Sequence, residues 1–502
     1  MTIHPLTAID FYKTDHRRQY PEGTTQVYSN FTARSARLAK MLPTGSLSAG
    51  IKTQAPHIVF FGLQYFVKEF LMDSWNEEFF KQPKEKVVSF YKRRMDTSLG
   101  KGAIDVSHIE ALHDLGYLPV KIKALSEGTL VPMGVPVLTI VNTHPDFFWL
   151  TNYLETIISS YLWKSTTSAT TAFEYKKLFT QYALKTGSSL DFIPFQGHDF
   201  SFRGMSGLQD AALTGAAHLT SFYGTDTVPS IDLLEEYYGA NAEQEMVGCS
   251  VPATEHSVMC MGMKEGELAT FERLILNLYP AGIVSIVSDT WDFWKVVTEY
   301  TKILKDAILN RDGKVVIRPD SGDPVKIVAG DENAPEGTPE HKGAVECLWD
   351  VFGGTITKAG YKMLDSHIGI IYGDSITLER AQAILNRLEQ KGFASGNVVF
   401  GIGSFTYQHA TRDNFGFAMK ATSGVVGGER RDIFKDPKTD EGTKKSAKGL
   451  LRVERENNFL VLYDRQSEEQ ESQGLLEIVF LDGKLVKEQT LSEIRKRIEN
   501  AL

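Results

Sequence analysis

Cysteine is scarce in this 502-residue chain: Cys249, Cys260 and Cys347 make an odd count, with none of the paired spacings that hold metals. That excludes a disulfide scaffold or a zinc ribbon and predicts a reduced, cytoplasmic setting. No uncharged apolar run reaches membrane-spanning length, and Met1-Thr2-Ile3-His4-Pro5 is not a charged segment leading into an apolar one. Neither a membrane-embedded protein nor one exported by a visible signal is expected. Positive charge is in deficit, 54 basic against 63 acidic residues for a net charge of -9, which argues against a protein that coats nucleic acid. Any anionic ligand must be met by placed residues. There is no Walker A sequence, Gly401-Ile402-Gly403-Ser404 lacks the third glycine of a dinucleotide fingerprint, and no repeat of solenoid length is evident. What is there, 42% hydrophobic and 23% charged residues, is an ordinary globular composition with room for two or three domains.

Apolar periodicity orders the chain. Val27 to Ala33 reads as a strand, Phe60 to Trp75 and Phe79 to Arg94 as helices, and Leu118 to Asn142 as a β layer broken by tight turns at Glu127-Gly128 and around Pro132, Gly134 and Pro136. Helices follow at about Asp146 to Trp163 and Thr170 to Lys185. Then come the short apolar runs Thr220 to Tyr223, Met246 to Val251, Ile283 to Val287, Val315 to Ile317, Ile368 to Tyr372 and Val398 to Phe400, mostly separated by helix-length stretches. Strand then helix, repeated, means parallel strands. Beyond Phe400 the pattern returns to β, with strands at Phe417 to Ala421, Phe459 to Tyr463 and Leu476 to Leu481, a hairpin turn at Asp482-Gly483, and a capping box at Thr490-Leu491-Ser492-Glu493 opening a last helix. This tail is expected to complete the N-terminal β layer. The division that follows is 1–165, the N-terminal part of a β-rich domain; 166–405, a β/α barrel; and 406–502, the C-terminal segment that completes the first.

The strand ends carry the chemistry. The parallel runs are followed by Gly224-Thr225-Asp226, Glu255-His256, Ser288-Asp289, Arg318-Pro319-Asp320, Gly373-Asp374-Ser375 and Gly403-Ser404. In a β/α barrel all of these converge on one face, whereas an open doubly wound sheet gathers them less completely. Any one of them alone reads as a cap for the next helix; six in succession favour a site. Within the span Asp199 to His256, Phe200 offers a flat face for a planar ring, Arg203 a guanidinium fork and Asp226 an acceptor-only carboxylate, a set that suits a small aromatic amide. His256 could shuttle a proton or accept a phosphoryl group. The plainer readings are a core phenylalanine, a turn aspartate and a structural histidine. Arg412, Lys420 and Lys435, with Lys444, Lys445 and Lys448 behind them, read either as phosphate holders or as a solvated basic loop.

Asp10-Phe11-Tyr12-Lys13, Asp199-Phe200-Ser201-Phe202-Arg203-Gly204, Gly224-Thr225-Asp226-Thr227, Ser250-Val251-Pro252-Ala253-Thr254-Glu255-His256-Ser257, Ile317-Arg318-Pro319-Asp320-Ser321-Gly322, Gly373-Asp374 and Phe434-Lys435-Asp436-Pro437 occur in one order from residue 7 to the last helix. In these stretches the chain resembles the nicotinamide phosphoribosyltransferase family, in its bacterial or phage branch. The resemblance implies a type II phosphoribosyltransferase fold, an irregular β/α barrel beside a β-rich α+β domain built from both chain ends. It implies transfer of phosphoribosyl from phosphoribosyl pyrophosphate to nicotinamide in NAD salvage, with Mg2+ as cofactor and ATP as co-substrate. It also implies a homodimer with shared sites, in which Asp10, Tyr12, Arg34, Arg412, Lys420 and Lys435 lie opposite the other barrel.

By position the resemblance gives Phe200, Arg203, Asp226, Tyr12 and Asp10 to nicotinamide. It gives Ser250, Ser285, Arg318, Gly373, Asp374, Gly403 and Ser404 to the ribose and its phosphate, and Arg34, Arg412, Lys420 and Lys435 to pyrophosphate or ATP phosphates. Catalytic roles fall to His256, Asp320, Asp289 and Glu255, with His256 phosphorylated by ATP and favouring turnover without being the nucleophile of glycosyl transfer. The metal's ligands are not specified. Nicotinate has a carboxylate where nicotinamide has an amide, and a facing Asp226 would repel it, so Asp226 predicts amide over acid. A nicotinate-specific enzyme and a silent ligand-binding protein on the same scaffold are the alternatives. The chain departs from the family at Gly401-Ile402-Gly403-Ser404-Phe405, where a glycine run is common, and at Phe202, where Tyr is common.

Overall fold

The two ends of the chain meet in one antiparallel sheet. In the computed structural model, which describes residues 3–39, 56–435 and 447–502, Thr24–Thr32 lies between Ala418–Val426 and Pro136–Asn142. Val120–Ala124, Glu477–Leu481 and Lys484–Leu485 extend the sheet on one side and Glu429–Asp432 on the other. The β tail therefore completes the N-terminal layer in part: the strand expected at Phe459 to Tyr463 forms, as Phe459–Gln466, but pairs with Leu450–Glu456 in a separate two-stranded sheet. Asp482 and Gly483 make the expected two-residue turn with φ of 49° and 79°, the positive values that a type I′ hairpin demands. Pro136–Asn142 is buried throughout, Phe31 stacks on Phe417 at 5.3 Å, and Trp75, Phe79 and Tyr91 join the same core. Lys444, Lys445 and Asp436-Pro437 fall outside the described residues.

The second unit is the barrel. Its parallel strands are β1 (Gly197–Asp199), β2 (Gly224–Thr225), β3 (Val284–Val287), β4 (Val315–Arg318), β5 (Ile368–Tyr372) and β6 (Val398–Ile402), hydrogen-bonded in the order β2-β1-β6-β5-β4-β3. Every residue of β3 and β5 is buried, as expected for parallel strands covered by helices. The two edges are joined by residues 249–254. Cys249 bonds to both sides of Gly224 (Cys249 N to Tyr223 O 2.7 Å, Thr225 N to Cys249 O 2.9 Å), and Pro252 and Thr254 bond to Ser285 at 2.9 and 3.0 Å. The ring thus closes through a segment that is not itself a strand. Pro252 sits in its middle and has no N–H to donate, which is why Met246 to Val251, expected as a strand, contributes only a bridge.

Other differences have local causes. The run Thr220 to Tyr223 is the end of helix Leu208–Leu219 and the turn after it, and the strand it was expected to form begins at Gly224. The two helices expected around residue 165 are one, Glu155–Thr186, which passes from the antiparallel sheet to the barrel without a break. Its Ser and Thr residues look like helix breakers in sequence. In the structure the Thr167, Thr170 and Thr171 hydroxyls donate to the carbonyl four residues back, at 2.6 to 2.9 Å, so they cost the helix little. The last helix, Leu491–Glu499, starts on the expected Thr490–Glu493 capping box and buries Leu491, Ile494 and Ile498 against Leu219, Leu234 and Val247. No described helix is long and apolar enough to cross a membrane.

Candidate active site

The carboxyl ends of the barrel strands surround a cavity of about 1000 Å3. Phe200 continues β1, its N–H donating to Ile402 O at 3.0 Å, and its ring lies against the backbone of β5 and β6. A Cβ added at Gly401 would stand 2.3 Å from the ring, and one at Gly373 2.8 Å. Only glycine at both positions lets the aromatic plane settle there. Arg203 follows in the short turn Phe202–Gly204, exposed and lining the same cavity.

Asp226 stands at the end of β2. Its Oδ1 accepts from His198 Nε2 at 2.9 Å and from Ser250 Oγ at 2.7 Å. Burial alone would raise its pKa, but these two bonds and the charges of His198 and Arg318 outweigh it and hold the carboxyl below its usual value. Asp226 therefore stays ionised, with Oδ2 making no bond among the described residues. Ser250 acts here through Asp226.

On the opposite wall, His256 opens the helix His256–Met261. Its Nε2 lies 3.1 Å from Asp289 Oδ1, and Asp289 Oδ2 accepts from Asp320 N at 3.0 Å and Ser321 Oγ at 2.5 Å. With a carboxylate as acceptor Nε2 carries the proton, and in the neutral imidazole Nδ1 then keeps its lone pair. Asp289 is nearly buried and does not line the cavity; it orients the histidine and the 320–321 turn together. Burial raises the Asp320 pKa; Arg318 and His256 pull against that, and the charges of Asp289 and Asp374 add to it. Arg318 is itself fixed by a bond from Nη2 to Thr254 O at 2.5 Å. Glu255, Gly373, Asp374, Gly403 and Ser404 complete the wall as the strand termini predicted.

Not every expected residue reaches this cavity. Ser285 is buried in β3 below its floor, its hydroxyl without a partner among the described residues. Asp10, Tyr12, Arg34, Arg412, Lys420 and Lys435 are exposed elsewhere. Asp10 accepts from Thr156 Oγ1 at 2.7 Å, and the Arg34 Nε donates to Gly416 O at 2.7 Å. Three of the cations lie near Lys420: burial lowers the Lys420 pKa, Glu155 opposes that, and Arg34, Lys435 and Arg412 lower it further. Conversely, His198, Gln408 and His409 belong to the site and were not anticipated. His198 is two residues before Phe200, hence on the same side of β1, a relation the alternation of a strand would have exposed had β1 been recognised. Among the described residues no group of three His, Cys, Asp or Glu is placed to hold a metal ion.

A flat ring, a guanidinium and an ionised acceptor lie on one side, with carboxylates and an oriented imidazole on the other. Comparison with known proteins gives the family. Residues 195–484 match the model of the nicotinate phosphoribosyltransferase family, and residues 5–122 that of the nicotinamide phosphoribosyltransferase N-terminal domain. The chain is 62% identical to a nicotinamide phosphoribosyltransferase of Acinetobacter baylyi, over 100% of this chain and 98% of that one. It is 36% identical to one of Mycoplasma pneumoniae, over 88% and 94%. In fold it resembles a nicotinate-nucleotide pyrophosphorylase from Pyrococcus furiosus (TM-score 0.58, 13% identity, 99% and 95% covered). Human nicotinic acid phosphoribosyltransferase is also similar (TM-score 0.52, 14% identity, 98% and 93% covered).

Proposed function

The chain belongs to the nicotinate phosphoribosyltransferase family, and from that premise we propose that it transfers phosphoribosyl from phosphoribosyl pyrophosphate to nicotinamide, giving nicotinamide mononucleotide and pyrophosphate in NAD biosynthesis. The observation that carries amide over acid is Asp226, held ionised on the cavity wall by His198 and Ser250. The pyridine ring lies on Phe200, its carboxamide oxygen meets Arg203, and its NH2 donates to Asp226. The ring nitrogen then attacks C1 of the ribose as pyrophosphate leaves, through an oxocarbenium-like transition state that Asp320 and Asp374 stabilise.

The cavity of one chain is poor in positive charge. Arg203 and Arg318 line it against Asp226, Glu255, Asp320 and Asp374, a balance unsuited to a pyrophosphate leaving group. This supports a homodimer in which Arg34, Arg412, Lys420 and Lys435 of a second copy neutralise that group and Tyr12 covers the ring's other face. For Mg2+ the donor set fits an ion carried on substrate phosphates, with Asp320 and Asp374 as the carboxylates that would hold it; when bound it supplies charge neutralisation. His256, with Nε2 donating to Asp289, would in its neutral form accept a phosphoryl group from ATP at Nδ1, and the phosphohistidine would stimulate turnover.

The test is to incubate the purified protein with phosphoribosyl pyrophosphate and Mg2+, offering nicotinamide or nicotinate, with and without ATP, and to identify the mononucleotide by chromatography. Nicotinamide mononucleotide formed faster with ATP supports the reading. Nicotinate mononucleotide would overturn the role of Asp226, and no product would leave a binding protein.

A further inference from the structure

Beside the active-site cavity lies a second cavity of about 340 Å3 lined by Tyr161, Trp163, Lys164, Ser206, Asp210 and Gln408 among others. Gln408 lines both. Two short segments that the site depends on contribute to both linings. One runs from the turn carrying Arg203 to Ser206; the other is Gly403 to Gln408, which begins at the residues assigned to the ribose phosphate. The two segments pack directly at Gly204, where an added Cβ would stand 2.0 Å from Ser404 Oγ. Further along, at Ser206 and Gln408, polar bonds join them.

Those bonds converge on one buried amine. Lys164, on the long helix Glu155–Thr186, donates from Nζ to Tyr407 O at 2.7 Å and to Gln408 Oε1 at 3.1 Å, and its Nζ lies 4.0 Å from Asp210 Oδ1. Asp210 Oδ2 accepts from Ser206 N at 2.9 Å, and Gln408 Nε2 donates to Ser206 Oγ, closing the loop between the two segments. Lys164 is 9% exposed and burial lowers its pKa, with Asp210 acting against this. A buried cation is seldom the cheapest way to hold a fold together, since apolar packing of equal volume does as well. Here its donors span two segments that meet different parts of one ligand.

We propose that Lys164 is a positioning residue: through Asp210 and Ser206 on one arm and Tyr407 and Gln408 on the other, it fixes the separation between pyridine recognition at Arg203 and phosphate recognition at Gly403 and Ser404. This rests on the function proposed above. Nicotinamide mononucleotide spans both subsites and gains affinity from their spacing, whereas nicotinamide or ribose 5-phosphate alone touches one and is indifferent to it. The Gly403–Gln408 segment has anchors besides Lys164. The Tyr407 hydroxyl bonds His218 Nδ1 at 2.7 Å, and the Thr406 hydroxyl bonds Ile376 O at 2.6 Å.

The experiment is calorimetric titration of the full chain with nicotinamide mononucleotide, nicotinamide and ribose 5-phosphate, for the wild type, Lys164→Met and Lys164→Arg, with thermal melts to confirm folding. In Lys164→Met the mononucleotide should bind about tenfold more weakly or worse while each fragment changes by less than about threefold, the size of coupling seen between groups in one network. Lys164→Arg, which keeps donors, should recover most of the loss. Equal losses for all three ligands, or an unchanged mononucleotide affinity in the folded Met variant, would overturn the proposal. If Lys164→Met does not fold, Asp210→Asn loosens one arm and should show the same ordering of losses; equal losses there overturn it too. A wild type that fails to bind nicotinamide mononucleotide would overturn the functional reading, and this inference with it.

Discussion

Asp226→Asn is the sharpest single test of substrate choice. Asparagine keeps the shape of the side chain and an oxygen that can accept from His198 and Ser250, so the loop has no reason to move. What changes is the charge. Two carboxylates about 4 Å apart repel by about 4 kcal/mol at the effective dielectric of a site near the surface. The Asp226 side chain is 47% exposed, and solvent screening reduces this to about 2 kcal/mol. Weakening the charge-assisted bond to the nicotinamide NH2 adds about 1 kcal/mol in the same direction. The total of about 3 kcal/mol corresponds to roughly a hundredfold fall in the ratio of kcat/KM for nicotinamide over nicotinate. Initial rates with each pyridine, read as mononucleotide by chromatography, measure that ratio directly. A folded variant whose ratio stays within about threefold of the wild type would refute the reasoning, because no term of this size could then lie at Asp226.

His256→Ala should keep a slow ATP-independent turnover and lose the stimulation by ATP; stimulation that persists undiminished would remove His256 from that role. Gly401→Ala places a methyl group 2.3 Å from the Phe200 ring, which must leave its slot, so KM for nicotinamide should rise by about tenfold or more; an unchanged KM would mean that the ring is not the platform. Mixing Asp320→Asn with Arg412→Ala, each inactive or nearly so alone, should restore about a quarter of wild-type activity if sites are shared, since half of randomly reassorted dimers are mixed and each has one intact site. Activity no higher than the sum of the two variants would count against a shared site.

The residues that the sequence made legible are those whose meaning is local. Gly224-Thr225-Asp226, Arg318-Pro319-Asp320 and Gly373-Asp374 each follow an apolar run, and once the runs are taken as parallel strands their convergence is a matter of topology, so the cavity wall could be anticipated. The Asp482-Gly483 turn and the Thr490–Glu493 capping box are similarly self-contained. Where the reading stopped, the cause was length or distance. β1 and β2 have three and two residues, too few for a period of two to show, and with β1 went the clue to His198. Barrel closure through Cys249 to Thr254 depends on partners in β2 and β3 rather than on any strand pattern of its own. Lys164 is the extreme case: in sequence it is a lysine among serines and threonines at an apparent break between helices, and its surroundings come from residues 206–210 and 407–408. The cation cluster poses the reverse problem. Arg34, Arg412, Lys420 and Lys435 were assigned to phosphate through a resemblance, yet none lines the cavity of its own chain. A site that needs their charge must therefore take it from a second copy or do without it, and the mixing experiment separates these two cases.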